Sequence, residues 1–421
     1  MKRIIFLLIF LPAFFACQEE ERGTPSLNPN PPGPVSNIRE VLAFGGGSTV
    51  RYDLPEDQDL LYVKAMYTIE NGKKMEVISS QYKNQLDIVG FSREDDYEVT
   101  LVAVNRSRKE SIPVKTTIRP KDSPIHEVFE SLKIRGDYGG IQLQWENPSA
   151  SKIEVVVSKP VQEGSDIFEH VQTFYTEARV MDGSVMGFQE GNQVFSVQVK
   201  DRWGNTSDIL KDEYYIKYEE ECDKSKFIRW NGDPSFPYRQ YSGSYPIERL
   251  WDEINMAAPG AANNFAHGPD GPSTPEWMTF TFDMGAAYKL TRFRIHHRGG
   301  SWVFFHGQPR YFKLYGSKYE SARGINDGLD DVDPRYKWQY LGSFESIKPS
   351  GLPLGEYTQE DVLVGGVNGE LFVIPAELAE AAGEVRYIRF SIDETWRQTA
   401  MWHISELTMY GVPEGYLATQ P

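Results

Sequence analysis

Ten residues beginning at Gly139, Gly-Gly-Ile-Gln-Leu-Gln-Trp-Glu-Asn-Pro, restate the pattern of Gly46-Gly-Ser-Thr-Val-Arg-Tyr-Asp-Leu-Pro about 95 residues upstream. The echo continues in order. Lys152-Ile-Glu-Val-Val-Val-Ser follows Leu60-Leu-Tyr-Val-Lys-Ala-Met-Tyr, and Val194-Phe-Ser-Val-Gln-Val-Lys follows Tyr97-Glu-Val-Thr-Leu-Val-Ala-Val. Each segment alternates apolar and polar residues, which puts the apolar side chains on one face of a strand. Strands with one buried face pair into antiparallel sheets. A repeat of this length matches one β-sandwich of roughly 100 residues. Residues 35–120 and 121–220 are therefore predicted to be two similar sandwiches, and no amphipathic helix interrupts the first.

The 421 residues hold 44 Lys and Arg against 60 Asp and Glu, a net charge of −16. Nucleic-acid binders carry the opposite footprint, so that class is excluded as a partner. Seven of nine Trp and five of seven His lie beyond Glu221, so the C-terminal half differs in kind. Two cysteines, Cys17 and Cys222, exclude a disulfide scaffold, and Cys222 reads as a buried thiol.

The chain starts Met-Lys-Arg, continues with the apolar run Ile4–Phe15, and reaches Cys17 after Ala16. A basic start, a short apolar core and a small residue make a secretory signal over 1–16, too short for the ~20 residues that span a bilayer. A cysteine at this place resembles a bacterial lipoprotein signal, which implies acylation of Cys17. The Gln18-Glu19-Glu20-Glu21 that follows resembles the surface-export signal of Bacteroidetes lipoproteins. Residues 17–34, rich in Pro, Gly, Asn and Ser, read as an extended tether.

The two repeats resemble the fibronectin type III group, with Trp145 and Tyr97 at the places of its core aromatics. In neither copy does a residue pattern mark a site, and the expected role is spacing. Beyond them, six segments stand in the order of the discoidin, or coagulation factor 5/8 type C, family: Leu250-Trp-Asp-Glu-Ile-Asn, Trp277 to Gly285, Phe312-Lys-Leu-Tyr-Gly-Ser, Trp338-Gln-Tyr-Leu-Gly, Arg386-Tyr-Ile-Arg-Phe and Ser405-Glu-Leu-Thr-Met-Tyr-Gly. The resemblance implies a galactose-binding-like β jelly roll over 221–415 and an all-β chain throughout. The stretches Ser321–Tyr336 and Ser346–Leu378 are longer than a minimal domain of that family needs.

Carbohydrate-binding members of the family often hold one structural calcium ion. Asp252, Asn255 and Glu406 occupy the matching positions and offer side-chain oxygens, although the loop departs from an oxygen-rich pattern. His296 and His297 adjoin on a strand and point to opposite faces, so they do not ligate one metal together. No catalytic motif appears in the sequence, and the chain is read as a non-enzyme.

The loop Arg298-Gly-Gly-Ser-Trp-Val-Phe-Phe-His-Gly-Gln-Pro-Arg310 gathers apolar rings and cations between two predicted strands. Asp393-Glu-Thr-Trp-Arg-Gln398, followed by Met401-Trp402-His403, has the same makeup. A sugar ring presents an apolar C–H face and a rim of hydroxyls, which suits an aromatic platform with a few donors. Trp302 and Trp396 are expected to form one platform, with Arg298, His306 and Arg397 donating to hydroxyls or to a uronate. The chain then reads as a glycan-binding lipoprotein of the outer-membrane surface. It resembles lipoproteins encoded beside outer-membrane glycan importers in Bacteroidetes, which implies a polysaccharide or oligosaccharide ligand and an importer complex as partner. Two rivals stay open: an adhesin for host or matrix protein, and a glycoside hydrolase with an unrecognised carboxylate pair.

Overall fold

The computed structural model describes residues 28–233, 236–255, 263–272, 274, 277–320, 333 and 336–417. Cys17, most of the tether and nearly all of the 321–336 stretch lie outside the described residues. The chain is all-β. Its few helices are short, and none that is described is long and apolar enough to cross a membrane.

The repeat seen in the sequence is a repeat of topology. In the first unit, Gly47–Asp53 lies between Ser36–Phe44 and Gln85–Val89. This sheet faces a four-stranded one in the order Lys74–Ser80, Leu60–Thr68, Tyr97–Asn105, Val114–Ile118. The second unit repeats both orders. Gly140–Glu146 lies between Lys133–Asp137 and Val180–Met186, opposite Phe168–Thr176, Ile153–Pro160, Gly191–Asp201 and Leu210–Ile216. Trp145 is fully buried in its core, as the sequence predicts. Its counterpart in the first unit is Tyr52, equally buried, whereas Tyr97 is half-buried and packs its ring 4.2 Å from Phe91. The helix Pro124–Ser131 links the units and drives Ile125 and Val128 into the second core.

In the C-terminal unit the segment Trp277–Gly285 does not end at its glycine but runs on as one strand. Thr279–His296 is continuous because Gly285, at φ +71°, turns a corner that a residue with a Cβ adopts only with strain. Before the corner the strand pairs with Val385–Thr395, and after it chiefly with Glu406–Pro413. Pro309–Ser317 and Gln339–Glu345 extend the sheet beyond Val385–Thr395. Phe280, Phe293, Phe312, Phe390 and Trp402 fill the core between these strands. Each ring of this size contributes roughly 1.5–3 kcal/mol by leaving water, which is why the unit tolerates long loops at its ends. Cys222 is buried there too, and burial pushes its thiol pKa up, in keeping with an inert thiol.

The units are fastened to each other. Asn205 Nδ2 donates to the Gly90 carbonyl at 2.9 Å across the first junction. At the second, the buried Arg292 Nε meets Glu219 at 2.6 Å, and the rings of Tyr218 and Tyr416 stack at 4.1 Å.

Candidate functional site

Three reversals of the chain meet at one end of the C-terminal unit: 297–308, 396–402 and the tyrosine-rich stretch that leads into the short helix Ile247–Leu250. Backbone bonds zip the first two together. Trp396 N–H donates to Gln308 O at 2.9 Å, Arg397 N–H to His306 O at 3.0 Å, and His403 N–H to Gly307 O at 2.9 Å. Phe304 and His306 are held at φ +48° and +56°. Residues other than glycine seldom occupy that region, at a cost of order 1–3 kcal/mol each, and persist there when surrounding bonds leave no alternative.

These loops assemble a stack. The guanidinium of Arg298 packs on two rings, 4.2 Å from Phe265 and 4.0 Å from Trp302. Trp302 meets His306 edge-on at 5.2 Å, and His306 stacks on His403 at 5.6 Å with 15° between the planes. Tyr245 packs 4.7 Å from Phe265, and Tyr241 4.7 Å from His267, which widens the aromatic surface. Trp302, His306 and Tyr245 are half-buried, while Tyr241 and Arg397 are exposed, so the stack opens to solvent. His403 beneath it is fully buried. Its Nε2 accepts from Gly307 N–H at 3.1 Å, and its Nδ1 lies 3.0 Å from the Gln308 amide once that amide is turned to satisfy both partners. Burial, then Arg298, holds the His403 pKa well below the ordinary histidine value. His306 is likewise lowered, first by burial and then by Arg397 and Arg298.

Trp396 is placed differently from the sequence expectation. Its indole N–H donates to Ser346 Oγ at 3.1 Å, and its ring meets Phe304 edge-on at 5.5 Å and Arg310 at 5.0 Å. No ring contact joins it to Trp302 among the described residues, so the two tryptophans belong to adjoining clusters. Beneath Trp396, Glu370 receives His297 Nε2 at 2.6 Å, Ser346 Oγ at 2.6 Å and Ile347 N–H at 3.0 Å. Phe304 N–H in turn donates to His297 Nδ1 at 3.0 Å. One buried carboxylate thus ties the long 346–378 stretch to the 297–308 loop. His296 points the other way, as strand alternation predicts, toward Asn255.

Asp252, Asn255 and Glu406 do come near one another. The Asp252 charge is close enough to act on Glu406, and Asn255 reaches His296, which is paired with Glu406 across the sheet. The donor set does not fit calcium, however. Lys224 Nζ already lies 2.5 Å from Glu406 Oε1, Asn264 Nδ2 donates to both oxygens of Asp252, and Arg249 is 3.7 Å from that carboxylate. A calcium ion needs six to eight oxygens and would sit against a buried ammonium.

Arg298, Trp302, His306 and Arg397 are thus brought together. Sequence reasoning missed Tyr241, Tyr245, Phe265 and His267. Their signal was available only as an aromatic-rich stretch before residue 246 and a two-residue strand, Ala266–His267, that pairs with His403–Ile404.

Three family models match the chain, each described as a domain of unknown function: DUF4959 over residues 32–120, DUF5126 over 121–225 and DUF5000 over 251–411. No curated protein matches it. Among solved structures it is similar to a SusE-like protein, with 26% identity over 69% of this chain and 99% of that one and a TM-score of 0.39. It is also similar to CBM32-3 from a family 31 glycoside hydrolase of Clostridium perfringens (16% identity, 45% and 94% covered, TM-score 0.29). A two-domain fibronectin type-III segment of chicken tenascin matches at 13% identity (44% and 99% covered, TM-score 0.21).

Proposed function

We propose that this chain captures glycan at the cell surface, through the stack of Arg298, Trp302 and His306 at the end of its C-terminal unit. The two sandwiches act as a spacer, and a lipid on Cys17 anchors the chain in the outer membrane, beside a glycan importer to which it delivers polysaccharide. The observation that carries the reading is the half-buried Trp302 ring, backed by Arg298 and bordered by His306 and Phe305. An apolar ring that is open on one side and rimmed by donors matches the C–H face and hydroxyls of a sugar. The reading is of binding without turnover. A glycosidase needs two free carboxyl groups across the scissile bond, whereas Asp393 and Glu394 near these loops are engaged by Lys313 and Arg310.

The test is retention on immobilised polysaccharides across a glycan array. Wild type is expected to bind glycan and Trp302→Ala to lose retention, with stability within about 1 kcal/mol of wild type, as for a partly exposed side chain. Binding to matrix protein with no glycan hit would establish the adhesin instead, and release of sugar from the best hit would establish a hydrolase. For the anchor, Cys17→Ala is expected to release the protein from membranes. If the variant still sediments with them at high salt, the lipid assignment is wrong.

A further inference from the structure

We propose that the sugar captured at this end is anionic, bearing a carboxylate or a sulfate that Arg298 and Arg397 receive; the inference rests on the glycan-binding reading above. Its basis is what these two arginines lack. The chain carries a net charge of −16, so acids outnumber bases. Beyond residue 225, Arg229, Arg249, Arg292, Arg310, Arg386 and Arg389 each have a carboxylate oxygen within 4.0 Å. Arg294, Arg298 and Arg397 have none among the described residues; Arg294 donates instead to the Asn368 carbonyl, whereas the guanidinium of Arg298 makes no hydrogen bond to any of them.

The geometry makes that gap specific. Phe265 and Trp302 both pack against the Arg298 guanidinium, and neither ring gives its in-plane N–H groups an acceptor. Its Nε–H is buried without an acceptor, and the Nδ1 of neighbouring His306 is buried without a partner. Buried polar atoms are ordinarily satisfied, so orphans on two residues that both pack on the half-buried Trp302 ring point to a missing partner. A planar fork of this kind pairs best with carboxylate or sulfate oxygens, which accept two parallel N–H bonds.

The local field agrees. Arg397 lies over the Phe305 ring at 5.5 Å, and its backbone N–H is bonded to His306 O. Burial and then Arg397, Arg298 and His267 oppose a positive charge on His306, while Asp270 favours it. Screening confines such fields to about 8 Å at physiological ionic strength, so this positive patch, and not the negative total, governs what a bound sugar meets.

The experiment pairs acidic polysaccharides with their neutralised forms on one array: polygalacturonate and alginate against their carboxyl-reduced products, and chondroitin sulfate and a sulfated galactan against their desulfated products. Wild type is expected to bind at least one acidic polymer about tenfold more tightly than its neutralised partner. The carboxyl-reduced arm identifies a uronate and the desulfated arm a sulfate ester. Arg397→Gln, an exposed substitution, should remove most of that preference with an unchanged melting temperature. Arg298→Gln should do the same, and its melt is recorded alongside. Equal binding to both members of every pair, or binding to neutral glycans alone, overturns the anionic assignment and leaves glycan capture standing. No binding to any glycan overturns both.

Discussion

Lys224 Nζ lies against Glu406 Oε1, both side chains at least nine-tenths buried, so the positive charge beneath the Asp252–Asn255 loop is one the chain carries itself. Glu406 Oε1 therefore has a partner without any ion, while Oε2 is buried without one. Exhaustive chelation is expected to leave the melting temperature unchanged. Lys224→Met, which strands a buried carboxylate, should destabilise by about 3–5 kcal/mol. A chelation-sensitive melt, with a divalent metal found in the native protein, would show that the loop holds an ion after all.

The same carboxylate gives a pH signature. Burial, only partly offset by Lys224, lifts the Glu406 pKa from 4.5 to about 7 in the folded chain. Between those values the folded state holds a proton that the unfolded state has lost, so stability attributable to Glu406 falls as pH rises from about 4.5 to 7. His296 beside it works in the opposite sense. Burial drops its pKa to about 4, and its contribution grows as pH rises toward 6.5. The Glu406 component is thus read as a difference. The stability of wild type relative to Glu406→Gln should decline by on the order of 1–3 kcal/mol across that window. A flat difference would place the carboxyl's pKa near its ordinary value.

Glu370 is the joint between the long 346–378 stretch and the 297–308 loop. Glu370→Ala removes the acceptor of His297, Ser346 and the Ile347 N–H together. Leaving such donors buried and unpaired costs about 1–3 kcal/mol for each group that finds no new partner. The expected outcome is a lower melting temperature and faster amide exchange across 346–370, together with weaker glycan retention. Exchange unchanged in that stretch would mean that Glu370 does not hold it.

Strand alternation carried most of the fold. Period-2 patterning at Val50–Tyr52 and Ile141–Trp145 is a local property, and a repeat of it is visible without any contact map. The corner at Gly285 was not legible as such, because a glycine that ends a strand and one that bends it look alike in sequence. The site divided along the same line. Arg298, Trp302 and His306 lie within one loop, so proximity in the chain is proximity in space. Phe265 and Tyr245 reach them through contacts distant in the chain, among them a two-residue pairing of Ala266–His267 with His403–Ile404 that is too short to leave a pattern. Trp396 matched Trp302 in composition but was captured by Ser346, a partner 50 residues away. Lys224 sits 182 residues from Glu406, and nothing in its neighbourhood announces a cation.

The junction between the second sandwich and the C-terminal unit sets how rigidly the candidate site is presented. Arg292 Nε pairs with Glu219 at 2.6 Å with both side chains buried, its guanidinium lies 3.6 Å from the Tyr410 ring, and Thr291 Oγ1 donates to the same carboxylate at 2.6 Å. Glu219→Ala leaves that guanidinium buried without its anion, a change worth about 3–5 kcal/mol. The melt is expected to split into two transitions, as the C-terminal unit uncouples from the second sandwich. Trypsin should gain a cut near residues 217–226, and small-angle scattering should report a broader distribution of lengths. Replacing both partners, as Glu219→Gln with Arg292→Met, removes the stranded charge and should recover most of the loss, because no buried ion remains unpaired. If Glu219→Ala keeps a single transition at the wild-type temperature, the stack of Tyr218 on Tyr416 and the Tyr416–Glu190 hydrogen bond hold the junction without the ion pair.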